Sequence, residues 1–212
     1  MTLPAILWSG RRWILAAILL FALGVVAGWA QAGFVYDQVQ PIIAQVAGIA
    51  QDVAHTDSPF ERAWIIYRNN ARSVSVMMLL ATIPYFGAFI PAAGMVGNGL
   101  LVGMLFGLSG RAGAAGARSL DASQILLGLV PHGVFELPAV WLGAAWAMKL
   151  ALGWLGPSAS GRRWEVWQHN AKEALVILAL IMVLLGIAAF VEGNVTTALM
   201  RVGLHAILLR SI

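Results

Sequence analysis

Two ionisable side chains, His132 and Glu136, stand four residues apart between Pro131 and Pro138, with Gly133 between them. An imidazole and a carboxyl at that spacing can share a proton or meet a cation. They do not by themselves make a zinc centre, which takes at least three protein ligands. No HExxH, GxSxG or cysteine motif accompanies them, so the reading assigns no catalytic residue, no metal and no cofactor. The chain is read as a non-enzyme.

These residues lie in an otherwise apolar run, Ala122 to Met148, long enough to cross a bilayer. A charge at the centre of such a span costs about 2.5–3.5 kcal/mol on insertion scales, so Glu136 needs a partner, a wet cavity or a proton. Two prolines and a glycine in eight residues predict a broken helix at Pro131–Gly133. Broken backbone at membrane depth is tolerated where it is packed in protein or lines a cavity. Asn98, the Asn69–Asn70 pair and Asn170 are the polar groups expected to support the site, and Asn98 in particular calls for a buried partner.

Composition sets the class. Sixty per cent hydrophobic residues, 10% charged and a mean hydropathy of +0.84 exclude an ordinary soluble domain. The expectation is one all-α integral membrane domain over residues 1–212, a polytopic helical bundle of about five spans with interfacial amphipathic helices. The net charge of +4 resides mainly in arginines beside apolar runs, which suits anionic headgroups and argues against a nucleic-acid partner. With no cysteine, disulfides and cysteine-bound cofactors are excluded.

The first span is expected over 13–36, flanked by Arg11 and Arg12. A cleaved leader is the competing reading, but this apolar core exceeds the usual ~7–15 residues. Residues 37–57 form an amphipathic connection, with Val39, Ile42, Ile43, Val46, Ile49 and Val53 at helical spacing. Ser58-Pro59-Phe60-Glu61 is a capping box that starts the next helix. The 38 uncharged residues from Ser73 to Gly110 suit two spans, turning near Pro84, Gly87, Pro91 and Gly94. Gly99, Gly103 and Gly107 recur every four residues, a stripe that lets another helix approach closely. Lys149 is expected to snorkel to the headgroups. Ala174 to Val191 reads as the last span, and 193–212 as an amphipathic tail. Counting basic residues on the two sides does not settle orientation.

Nine residues repeat without gaps at an offset of 100. Trp64, Tyr67, Asn70, Ala71 and Arg72 align on Trp164, Trp167, Asn170, Ala171 and Lys172. Each copy leads into an apolar run, so both read as interfacial helix entries. A duplicated unit in inverted orientation is the stronger version, a pattern known from transporters.

Pro131-His132-Gly133 followed by Glu136-Leu137-Pro138-Ala139, downstream of Gly97-Asn98-Gly99 and Asn69-Asn70, resembles the stage II sporulation protein M family over roughly residues 60–192. The resemblance implies a multi-pass protein of the cell membrane. It also implies a scaffold or regulatory role in an envelope complex, since the family takes its name from a scaffold for peptidoglycan hydrolases. Partners are then the lipid bilayer, other membrane or envelope proteins, and a second copy of the chain. The alternative is a channel or secondary transporter using His132 and Glu136.

Overall fold

The computed structural model describes residues 2–34, 56, 58–83, 85–109, 122–156 and 159–196. The 37–57 connection, apart from Thr56, and the 193–212 tail beyond Thr196 lie outside the described residues. So does the basic loop from Arg111 to Asp121.

Among the described residues every regular element is helical: α1 (Leu3–Ala30), α2 (Pro59–Leu80), a 3-10 turn (Phe86–Ala88), α3 (Phe89–Leu108), α4 (Ala122–Leu152), α5 (Arg163–Phe190) and a π-helical turn (Val191–Thr196). The expected all-α membrane bundle is what forms. Four helices among the described residues, α1, α3, α4 and α5 with its extension, are long and apolar enough to cross a membrane. About five spans were expected, and α2 is the long helix that is not among these four. This helix starts as read, with Pro59 in its first turn and the Ser58 hydroxyl accepting from the Glu61 N–H at 3.4 Å. It carries Glu61, Arg62, Arg68 and Arg72, however, and ends at Leu80, so its apolar part is too short. The first span also begins ten residues earlier than read. Pro4 suits the first turn, and the Arg11 guanidinium stays on the helix by donating to the Trp8 carbonyl.

The predicted break does not occur. α4 runs continuously from Ala122 to Leu152 with Pro131 and Pro138 inside it. Each proline removes one backbone bond and its ring crowds the preceding turn, but neighbouring helices can hold such a helix together in a membrane. Gly133 therefore sits mid-helix and not at a half-helix entry.

α1 and α3 form the tightest crossing. A Cβ added to Gly99 or Gly103 would land on the carbonyl oxygens of Phe21 and Val25, and one on Gly107 would meet Ala32 and Trp29. The reciprocal face of α1 is Gly24 and Gly28, packed on the Val96 and Leu100 carbonyls. Small residues on both helices thus bring the two backbones into contact. α4 occupies the centre: its stretch Gly143–Leu150 is buried all round, with Trp146 laid over Gly10 of α1. The core is completed by Val74 and Met78 from α2 and by Ile177, Ile181 and Leu185 from α5. Leu15, Leu19, Leu23 and Val26 of α1 face outward, as the lipid side of a bundle requires.

Candidate functional site

α2 and α5 run antiparallel. Arg62 donates from Nε to the Gly193 carbonyl at 3.0 Å, while Tyr67, further along α2, reaches back to Met182 on α5. The two copies of the nine-residue repeat therefore point in opposite directions. In each, the aromatic pair meets ring to ring: Trp64–Tyr67 at 5.7 Å and Trp164–Trp167 stacked at 5.1 Å. Both Trp64 and Trp164 are exposed. Trp164 and Trp167 line an open cleft of about 340 Å³ with Trp154, Arg163 and Thr82.

In both copies the asparagine turns inward to α4. Asn70 donates from Nδ2 to Oε1 of Glu136 at 3.1 Å, and Asn69 in turn donates to Oδ1 of Asn70 at 3.2 Å. Asn170, buried, donates to the Lys149 carbonyl at 3.5 Å. The asparagines thus grip α4 at two levels, 13 residues or about 20 Å apart along the helix. Arg72 and Lys172, the cations of the repeat, are both exposed. Asn98 does not join either level: it is exposed and donates to the Gly94 carbonyl of its own helix. Among the described residues the buried partner expected for it is absent, and helix geometry offers the Gly94 carbonyl in its place.

The first level is built around the sequence-derived pair. His132 Nε2 and Glu136 Oε2 lie 3.7 Å apart, one turn apart on α4, with side chains 12% and 28% exposed. The π-helical turn adds a residue that sequence reading treated only as the edge of the last span, Glu192. Its carboxylate, that of Glu136 and a His132 nitrogen lie within 4.8 Å of one another. Gly193 permits this, since its bare Cα face is closed on by Ala63 and Arg62 of α2. His132 Nδ1 is buried and has no hydrogen-bond partner among the described residues.

The second level was not foreseen. Lys149 does not snorkel; it is buried and forms an ion pair with Oε2 of Glu173, itself buried on α5. Lys149 also donates to the Ser9 hydroxyl at 2.8 Å, and that oxygen lies 3.0 and 3.1 Å from the two Glu173 oxygens. His169 Nε2 approaches Glu173 Oε1 at 3.2 Å from the outer side. A long stem favours snorkelling only when no acid is nearer than the headgroups, and here Glu173 is nearer. The available signal was the second His-x-x-x-Glu spacing, which starts at His169 in the second copy of the repeat and ends at Glu173, one residue past it.

The family model described as Stage II sporulation protein M matches residues 17–197, most of the chain and well beyond the 60–192 core. No curated protein and no solved structure matches the chain.

Proposed function

The chain belongs to the stage II sporulation protein M family, and from that premise we propose that it is a multi-pass scaffold or regulatory partner of an envelope complex in the cell membrane. What supports the reading is the pair of grips on α4, Asn70 on Glu136 and Asn170 with Glu173 at Lys149. Polar contacts between helices fix register in a bundle whose apolar faces would otherwise slide. A frame held at two levels is a fixed platform on which other envelope proteins, or a second copy, can assemble. The polar groups then hold helices and perform no chemistry on a substrate.

A second reading, transport, is favoured by one observation: the first level gathers two carboxyls and an imidazole between membrane helices, the kind of grouping that marks proton and ion pathways. Proteoliposomes separate the two. As a scaffold, the wild-type chain passes protons and metal ions no faster than protein-free vesicles and runs in cross-linked membrane assemblies larger than itself. Flux that Glu136→Gln abolishes without loss of folded protein would transfer the assignment to transport, because an amide neither titrates nor carries a full charge.

A further inference from the structure

We propose that His132, Glu136 and Glu192 form a binding site for a divalent transition-metal ion, of which zinc is the type. The inference depends on neither reading above, since a resident ion could lock a platform or occupy a pathway.

Sequence alone offered two ligands, short of the three that a zinc centre needs. The fold supplies the third by closing the π-helical turn of α5 against α2, which brings Glu192 beside the pair on α4. π-helical turns are rare and gather at functional sites. The Arg62 guanidinium holds this one, donating to the Gly193 carbonyl at 3.0 Å and to the Thr56 carbonyl at 3.0 Å.

Distances favour a shared ion over a direct bond. His132 Nε2 and Glu136 Oε2 are 3.7 Å apart, too far for a hydrogen bond. Two ligands of one tetrahedral ion with bonds of about 2.1 Å stand roughly 3.4 Å apart. The other oxygen of Glu136, Oε1, is held by Asn70, which is held by Asn69. That is the outer layer of hydrogen bonding by which metal-bound carboxylates are oriented. An imidazole among the ligands selects a transition metal over calcium or magnesium, which prefer all-oxygen sites. A divalent ion bound here would neutralise both carboxylates.

His169 and Glu173 provide a built-in control. They have the same spacing on α5, but Lys149 already neutralises Glu173, and His169 is largely exposed. No ion is expected there.

The test uses the full chain, purified in detergent, stripped with chelator and titrated with Co²⁺ followed by visible absorption, then with Zn²⁺ by calorimetry. One ion per folded chain is expected, with Zn²⁺ displacing Co²⁺ and raising the melting temperature. Glu192→Gln, nearly isosteric, and His132→Ala should each weaken binding at least 100-fold. Asn70→Ala should weaken it about 10-fold through Glu136, and His169→Ala should leave it unchanged. If His132→Ala does not fold, His132→Gln replaces it. The site is overturned if the folded wild type takes up no stoichiometric ion, which would mean that protons or Arg62 balance the carboxyls. It is equally overturned if the Glu192 and His132 variants bind as wild type does, or if His169→Ala removes the ion.

Discussion

Two histidine–glutamate pairs with the same four-residue spacing have opposite surroundings in this bundle. At His169/Glu173 the acid faces inward to Lys149 and Ser9, and the histidine is left 57% exposed at the rim. At His132/Glu136 both side chains face inward, and the neighbours from other helices are Asn70 and a second acid, Glu192. Spacing on one helix therefore says little about the role of such a pair; the residue opposite decides it. A lysine opposite closes the site as a pin, whereas a carboxylate opposite leaves it open to a cation or a proton.

The comparison predicts unequal costs of damage. Glu173→Leu should be the most severe change, because it leaves Lys149 charged and buried among apolar groups. A loss of about 3–5 kcal/mol is expected, read as a lower melting temperature in detergent. Glu173→Leu combined with Lys149→Met should recover most of that loss, since neither charge then remains. A double variant as unstable as the single one would show that the pair is not the source of the effect.

The apolar seam of α1 and α3 sets the scale for a change without charge. Gly103→Leu would push the α3 backbone off Val25 and should cost about 1–3 kcal/mol or more. An unchanged melting temperature would mean that the two helices do not cross at these glycines.

At the first level the expected effects are smaller. Glu136→Leu leaves the Asn70 amide without its acceptor and should cost about 1–3 kcal/mol, whereas Glu136→Gln keeps an oxygen for Asn70 and should cost less than about 1 kcal/mol in metal-free buffer. Equal losses for Gln and Leu would show that the carboxylate charge, not the hydrogen bond, holds this level. Smallest of all, His169→Ala should change stability by no more than about 0.5 kcal/mol, because the exposed ring adds little to a carboxylate already paired with Lys149. A larger drop would make His169 a full member of the second level and erase the contrast with His132.

Residue composition and spacing by themselves determined that this is an all-helical membrane protein, because apolar content and run length answer directly to the bilayer. The helix start at Ser58, the glycine face of α3 and the pairing of His132 with Glu136 were legible for the same reason: each is set within about one turn of chain. The repeat was legible as a pair of helix entries, and the fold turned one copy against the other. Tertiary structure alone decided what the local pattern had misjudged. Pro131 and Pro138 read as a break, yet packing on the flanking helices carries α4 through both. Asn98 read as buried but satisfies itself on its own helix, and Lys149 read as a surface anchor but meets Glu173. Glu192 was only a span boundary until the π-helical turn set it beside Glu136, 56 residues earlier in the chain. Hydrophobic periodicity reports which residues avoid water, whereas the partner of a buried charge lies on another helix, and only the packing of those helices chooses it.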